Sequence, residues 1–201
     1  MTWLNLPNRI TMTRIFLVAP LVICLLKLNA GWSGWRYLAL ALFVLMSLSD
    51  ALDGFLARRL NEETPLGRYL DPVGDKLLIT CAVILLAIDA TAVAGFRLPS
   101  WVPVIAIGKD LIVLIGFLLI YIATGQYFVR PRTLGKACTL IQLVTVGYCL
   151  AAPELDAIVP YARAIWAGLY GLASAAAVAA LIDYVRIGNR FAADYLAAAR
   201  K

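Results

Sequence analysis

The sequence predicts an all-α polytopic membrane protein with six transmembrane helices. Of its 201 residues 63% are hydrophobic, the mean hydropathy is +0.86, and long apolar runs recur from end to end. Soluble domains are nearer half apolar, whereas a run of about 20 apolar residues is long enough to cross a bilayer as a helix. Because no linker or low-complexity tract divides the chain, residues 1–201 are expected to form a single membrane domain.

The apolar runs set the approximate bounds of the six predicted spans. These bounds are 10–28, 37–56, 70–90, 102–124, 137–152 and 161–185. Residues 1–9 carry apolar side chains ahead of Pro7, which predicts an N-terminal interfacial segment. The tail after the sixth span places Phe191 and Tyr195 four residues apart, which predicts a C-terminal surface helix. A polar loop is expected at 57–68 and a turn at 153–160.

Basic residues predict the orientation of these spans. An even number of spans puts both termini on one side of the membrane, and twelve basic residues share that side. They are Arg9, Arg14, Arg58, Arg59, Arg68, Arg130, Arg132, Lys136, Arg186, Arg190, Arg200 and Lys201. Only Lys27, Arg36, Arg97 and Arg163 lie opposite. Because cytoplasmic loops carry the excess of Lys and Arg, the richer side is expected to be cytoplasmic. The net charge of +6 is then a topology signal, and no nucleic-acid partner is expected.

The composition also limits the chemistry. The chain has no histidine, which excludes a Ser-His-Asp arrangement and histidine metal sites. Any proton transfer must therefore use a carboxylate, Lys, Tyr or Cys. The four cysteines lie in apolar runs without a C-x-x-C pair, so we expect them to be small buried side chains.

Four aspartates at helical spacing lie between the second and third apolar runs. Asp50 and Asp53 are three residues apart, and Asp71 and Asp75 are four apart, so each pair shares one face of a helix. One aspartate near the bilayer centre costs about 2.5–3.5 kcal/mol, and four neighbouring carboxylates repel each other as well. Carboxylate oxygens are the ligands that Mg²⁺ and Mn²⁺ prefer. The segment therefore predicts two divalent cations that clamp a bridging phosphate.

Small and basic residues recur at fixed positions around these aspartates. The full pattern is Asp50-x2-Asp53-Gly54-x2-Ala57-Arg58-x8-Gly67-x3-Asp71-x3-Asp75. Gly54 and Ala57 leave room for a ligand to approach the helix, and Gly67 does so where the connection returns. Arg58 offers a cationic fork to phosphate oxygens.

This pattern resembles the signature of the CDP-alcohol phosphotransferases, D-x2-D-G-x2-A-R-x8-G-x3-D-x3-D, at all eight fixed positions. The six predicted spans and a polar motif before the first of them, Asn8-x2-Thr11-x2-Arg14, extend the resemblance over most of the chain. Members of that family transfer a phosphoalcohol group from a CDP-linked donor to an acceptor hydroxyl and release CMP. A carboxylate base is consistent with the missing histidine.

The resemblance implies a role for each fixed position. Asp50, Asp53 and Asp71 would ligate the metals, and Asp75 would complete the metal shell and act as general base on the acceptor hydroxyl. The glycines and the alanine of the pattern (Gly54, Gly67 and Ala57) would shape the cytidine site. Arg58 would steady the diphosphate.

The substrates expected from the resemblance are those of the bacterial members. These members use CDP-diacylglycerol, work at the inner (plasma) membrane with the active site facing the cytoplasm, and form homodimers. Glycerol 3-phosphate, giving phosphatidylglycerophosphate, is the first expectation for the acceptor. Phosphatidylglycerol, giving cardiolipin, is the alternative, and inositol phosphate and serine are further family acceptors. A non-enzymatic cation transporter is the alternative outside the family.

Basic residues after the fourth span are candidates for binding an acceptor phosphate. Arg130, Arg132 and Lys136 suit that role, although loop charge on the cytoplasmic side explains them equally well. The stretch Gly135-Lys136-x2-Thr139-x2-Gln142 resembles one found in both glycerophosphate and cardiolipin enzymes, so it supports a role for Lys136 without choosing between them.

A charged pair, Lys109-Asp110, lies within the fourth predicted span. Adjacent residues on a helix do not face each other, so we expect no mutual salt bridge and expect one member to reach the active site or another polar partner. Lys109 is thus a further candidate for the acceptor site. Glycerophosphate enzymes usually carry Arg-Glu near this point, and in this feature the chain is closer to the cardiolipin type.

Overall fold

The structure is a computed structural model that describes residues 6–60, 65–125 and 133–199. Within these ranges the described side chains are those of 12–49, 74, 76–125, 133–191, 193 and 195. The described residues form six α-helices and no strand, which confirms the all-α prediction. The helices are α1 (Leu6–Leu26), α2 (Gly34–Leu60), α3 (Pro65–Ala87), α4 (Trp101–Thr124), α5 (Thr133–Ile158) and α6 (Ala162–Ala199).

Three of these helices are long and apolar enough to cross a membrane. The qualifying segments are Trp101–Thr124, Thr133–Ile158 and Ala162–Phe191. Over the described residues, the other helices contribute the shorter apolar stretches Met12–Leu26, Gly34–Ser49 and Lys76–Ala87. The predictions of six helices and of a membrane protein are therefore confirmed, whereas full spans are found for three of the six helices.

Helix α3 has a central place in the bundle. It packs against α1, α4 and α5, while α1 also contacts α2, and α6 contacts both α4 and α5. The core between these helices is aliphatic, and its most deeply buried members include Leu21, Leu25, Met46, Leu78, Leu86 and Leu150. The position of α3 is thereby fixed from three sides, and with it the position of the aspartates that α3 carries.

The connection between α3 and α4 folds back onto the end of the bundle. The amide of Leu98 donates to the Leu86 carbonyl at 3.0 Å, and the Cys149 thiol donates to the Phe96 carbonyl at 3.2 Å. Phe96 packs edge-on against Trp166, with 6.4 Å between ring centroids. These contacts close the bundle at the end opposite the start of α3.

The cysteines are free thiols, as predicted. Cys24, Cys138 and Cys149 are buried, and Cys81 is partly buried. Each therefore serves as a small packing residue.

The turn predicted at 153–160 is wrong, because α5 continues through Pro153 to Ile158. A proline inside a helix removes one backbone donor and usually kinks or breaks the helix. Here Arg36 of α2 braces the affected turn from outside. Its guanidinium donates to the Leu150 carbonyl at 2.8 Å and forms a two-pronged ion pair with Glu154, which also accepts a 2.6 Å hydrogen bond from the Tyr37 hydroxyl.

The separate C-terminal surface helix is also wrong, because α6 is continuous from Ala162 to Ala199. Gly188 does not break it, since this residue provides close packing instead. A Cβ added there would lie 3.1 Å from Cδ1 of Ile120 on α4. At the other end of the chain, the expected interfacial segment 1–9 is corrected in part, because α1 already begins at Leu6; residues 1–5 lie outside the described residues.

Replacing Arg36 with alanine tests the brace at Pro153. The Arg36 side chain is 14% exposed, and hydrogen bonds to charged groups contribute about 1.5–3 kcal/mol. We expect Arg36→Ala to lower the melting temperature in detergent by several degrees. The matched control is Arg163→Ala, because the ion pair of Arg163 with Asp156 is long (3.5 Å) and exposed and such pairs contribute little. Equal melting temperatures for the two variants would contradict the brace.

Candidate active site

The four aspartates lie at matching depths on α2 and α3. Asp50 is ten residues before the end of α2, and Asp75 is ten residues after the start of α3; Asp53 and Asp71 are seven and six residues from the same ends. At 1.5 Å per residue these distances are about 15 Å and about 10 Å along the helices. Residues 61–64 connect the two helices, so the carboxylate-bearing turns lie at similar distances along each helix from this connection. Because the aspartate side chains lie outside the described residues, metal ligation stays a prediction.

The remaining fixed positions lie on the same two helices. Gly54, Ala57 and Arg58 belong to the last turns of α2, and Gly67 to the first turn of α3. The predicted loop 57–68 is therefore wrong. Two sequence features explain the longer helices: the stretch from position 57 to the end of α2 consists of strong helix formers, and proline is favoured at the first position of a helix, where α3 has Pro65. The side chains of these fixed positions lie outside the described residues, so their donor-binding roles stay predictions.

Helix α1 packs against both aspartate-bearing helices. Gly74, next to Asp75, is buried, and a Cβ added there would lie 3.5 Å from Cγ1 of Ile15. Arg14, one residue earlier on α1, is only 1% exposed. A buried arginine is rare, and this one places a positive charge on the helix that α2 and α3 share.

The carboxylate of Asp110 on α4 binds two lysines. Its Oδ1 atom pairs with Lys109 Nζ at 2.9 Å and also with Lys76 Nζ of α3. The expectation that Lys109 and Asp110 form no mutual salt bridge is wrong, because the long lysine side chain bends back to its neighbour. Asp110 does reach another helix, as expected of one member of the pair. Sequence reasoning missed Lys76, whose signal was its position directly after Asp75.

Two of the four predicted acceptor-binding residues, Lys109 and Lys136, have described side chains, and these differ in exposure. Lys109 is buried and paired with Asp110, whereas Lys136 is exposed in the first turn of α5. Arg130 and Arg132 lie outside the described residues. The structure does not bring Lys109 and Lys136 into a described contact, so their binding of an acceptor phosphate stays a prediction.

Helix α6 comes close to the backbone of α5 at Gly135, the residue before Lys136. A Cβ added at Gly135 would lie 3.1 Å from the hydroxyl oxygen of Tyr184 on α6. The Gly135 carbonyl accepts a 3.2 Å hydrogen bond from the Thr139 hydroxyl. A larger side chain at this position would therefore press against the Tyr184 hydroxyl.

Polar side chains continue inward from this motif. Gln142 is buried on α5 and, with Thr145 and Ser174, lines a cavity between α3, α4, α5 and α6. The Thr145 and Ser174 hydroxyls each donate to a carbonyl one turn back, at 2.7 and 2.8 Å. Both hydroxyls are thus satisfied within their own helices, and the rest of the cavity lining is aliphatic, so the described lining of this cavity is mainly apolar and carries no charge.

The residues of the aspartate segment fit a divalent cation by their chemistry. All four candidate ligands are carboxylates, the donor type of Mg²⁺ and Mn²⁺ sites. Their helix positions place them at matched depths, and a two-metal site needs ligands from more than one direction.

Comparison with known proteins places these features in a family. The sequence model of the family described as CDP-alcohol phosphatidyltransferase matches residues 4–183. This range includes the whole aspartate pattern and all six helices except the end of α6.

Three relatives agree with that match. A Bacillus subtilis protein named CDP-diacylglycerol--glycerol-3-phosphate 3-phosphatidyltransferase is 35% identical over 155 residues, which are 73% of this chain and 76% of the relative. A Pseudomonas fluorescens protein of the same name is 39% identical over 55% of this chain and 53% of its own length. A Mycobacterium tuberculosis protein named probable phosphatidylglycerophosphate synthase is 31% identical over 71% of this chain and 64% of its own length.

The close approach of Tyr184 to Gly135 can be tested by one substitution at Gly135 and a second, compensating substitution at Tyr184. Gly135→Ala should lower the melting temperature by a few degrees, because the added methyl group meets the Tyr184 hydroxyl at 3.1 Å and overpacking costs about 1–3 kcal/mol. Adding Tyr184→Phe removes the hydroxyl and should restore most of the loss. Gly116→Ala on α4 is the control, since no described atom outside its own helix turn lies within 4 Å of the new Cβ. A Gly135→Ala protein as stable as this control would refute the packing requirement.

Proposed function

This chain belongs to the CDP-alcohol phosphatidyltransferase family, and we propose that it transfers a phosphatidyl group from CDP-diacylglycerol to glycerol 3-phosphate. The products are phosphatidylglycerophosphate and CMP. The observation that carries the proposal is the complete aspartate pattern, whose two halves lie at equal depth on α2 and α3.

The choice of acceptor rests on the relatives. The Bacillus subtilis and Pseudomonas fluorescens proteins are both named for glycerol 3-phosphate, and the first aligns with about three quarters of this chain. The Lys109-Asp110 pair, which differs from the Arg-Glu of glycerophosphate enzymes, is the feature that keeps phosphatidylglycerol as the acceptor to be tested against it.

The proposed reaction is a displacement at the lipid-bearing phosphorus of the donor. The acceptor hydroxyl oxygen forms a new bond to this phosphorus, and the bond from the phosphorus to the bridging diphosphate oxygen breaks. CMP leaves with the electron pair of that bond. The proton of the attacking hydroxyl passes to the Asp75 carboxylate, the base that the family resemblance implies, and a carboxylate is among the bases open to a chain without histidine.

The residues divide this work between the two helices. Asp50, Asp53, Asp71 and Asp75 would hold two Mg²⁺ or Mn²⁺ ions, which when bound supply Lewis-acid stabilisation of phosphate charge. The cytidine site would lie along Gly54, Ala57 and Gly67. Arg58 would bind diphosphate oxygens and hold the donor in line with the attacking hydroxyl.

The proposed topology follows from charge. The aspartate segment joins two helices on the side that carries twelve of the basic residues, which we assign to the cytoplasm of a bacterial inner membrane. Six full spans and a homodimer are parts of the same proposal. Their tests are cysteine accessibility from each side of the membrane and cross-linking in native membranes.

The first prediction of this proposal concerns the acceptor. Purified protein in detergent with CDP-diacylglycerol and Mg²⁺ should release CMP when glycerol 3-phosphate is added, and EDTA should abolish the release. Phosphatidylglycerol in place of glycerol 3-phosphate should give only background. Release with phosphatidylglycerol alone would instead identify a cardiolipin synthase, and metal movement across vesicles without CMP release would identify a transporter.

The second prediction concerns the base. Asp75→Asn should lower the rate of CMP release by about 10²-fold or more, because loss of a general base alone costs about 10²–10⁴-fold, while expression and melting temperature stay near wild type. Asp89→Asn is the control, since Asp89 is exposed in the connection after α3 and pairs only with Arg97 among the described residues. Near-normal turnover by Asp75→Asn would remove Asp75 from the role of base.

A further inference from the structure

We propose that Asp110 is a positioning residue, which acts through Lys76 to hold the turn of α3 that carries Asp75 in register with α4. The inference rests on the proposed function, because it assigns a task to residues outside the aspartate pattern. Its starting point is the ion pair between Lys76 of α3 and Asp110 of α4.

The turn of α3 around Asp75 is held on two opposite sides. Gly74 is buried and faces Ile15 of α1, whose Cγ1 would lie 3.5 Å from a Cβ added at position 74. Lys76, two residues later and therefore about 200° around the helix, binds Asp110 of α4. Position 75 falls between these two faces. Rotation of α3 about its axis would break one of the two contacts, so together they fix the direction of the helix face that carries Asp75.

The arrangement of charges explains why a carboxylate is needed on α4. Lys76 directly follows a predicted metal ligand, and an unpaired ammonium there would be attracted by the carboxylates of the metal site. Asp110 directs this ammonium toward α4. Lys109 neutralises the same carboxylate from its own helix at 2.9 Å, so Asp110 remains paired at membrane depth whatever the state of the metal site.

The exposure of the two lysine side chains shows which of them can be replaced without destabilising the fold. The Lys76 side chain is 55% exposed, whereas that of Lys109 is 10% exposed. Ion pairs as exposed as that of Lys76 contribute little to stability, so removing Lys76 should leave the protein folded. Removing Asp110 alone would strand the buried Lys109 ammonium, and for this reason Asp110 must be replaced together with Lys109.

The test measures Mn²⁺ binding to the full-length protein in detergent without substrates, from the electron paramagnetic resonance signal of free Mn²⁺. Lys76→Met should raise the Mn²⁺ dissociation constant about 10-fold or more, since loss of an outer-shell partner typically costs about 10–100-fold in metal affinity or activity. The direction of the change in the Mn²⁺ dissociation constant distinguishes a positioning role from a purely electrostatic one. If Lys76 acted only by its charge, removing a positive charge near a dication site would lower this constant.

Companion variants complete the design. Lys76→Arg keeps the link and should restore wild-type binding. The double variant Lys109→Met with Asp110→Leu removes the α4 anchor without leaving a buried charge, and it should raise the constant by the same factor as Lys76→Met. Asp89→Asn, which breaks a different ion pair after α3, should leave the constant unchanged. In the CMP assay, Lys76→Met should lower kcat with little change in the KM for donor.

Several outcomes would overturn the proposal. They are an unchanged or lower Mn²⁺ constant in Lys76→Met, a double variant that binds Mn²⁺ like wild type, and a wild-type protein that binds no Mn²⁺. The proposed function fails separately, because a protein that releases no CMP with either acceptor can still show the predicted pattern of Mn²⁺ constants.

Discussion

A charged side chain inside an apolar helix bundle is stable only beside a counter-charge, and the described ion pairs follow this constraint. Asp110 has two lysines around one carboxylate, and Glu154 has Arg36 and the Tyr37 hydroxyl. The Lys76–Asp110 pair joins α3 to α4 and the Arg36–Glu154 pair joins α2 to α5, so neutralisation also fixes how these helices pack. The four aspartates of the functional segment form the largest cluster of negative charge that needs counter-charges in the sequence. Bound cations are therefore the economical explanation for them.

The sequence was sufficient to predict the class of the fold and the segment that carries chemistry. Hydrophobic run length predicts membrane helices because backbone groups in lipid must be satisfied within the helix. The fixed spacing of the aspartates predicts the family because few other arrangements require so many charges at helical intervals in an apolar chain. The fourth helix was predicted to within one residue at its start, since the segment from Val102 to Thr124 is apolar apart from the Lys109-Asp110 pair and a few polar residues near its end.

The errors arose where long-range contacts override local signals. Pro153 predicted a turn, yet Arg36, more than a hundred residues away, supports the helix through it. The tail after the sixth predicted span predicted a separate surface helix, yet α6 continues through it, and a Cβ added at Gly188 would lie 3.1 Å from Ile120 of α4. A salt bridge between Lys109 and Asp110 was not expected because adjacent residues on a helix do not face each other. The flexible lysine side chain nevertheless reaches the carboxylate. The contacts of Arg36 and Gly188 are not visible in a window of neighbouring residues.

The folded-back connection between α3 and α4 bears on how solutes enter and leave. Leu98 and Phe96 fill the end of the bundle opposite the aspartates, and hydrogen bonds to Leu86 and Cys149 hold them there. In the described part of the chain, that end is plugged with packed side chains. Solutes cannot pass through this packed end, so the proposed water-soluble substrates and products would have to enter and leave elsewhere, and a lipid product would have to leave between helices.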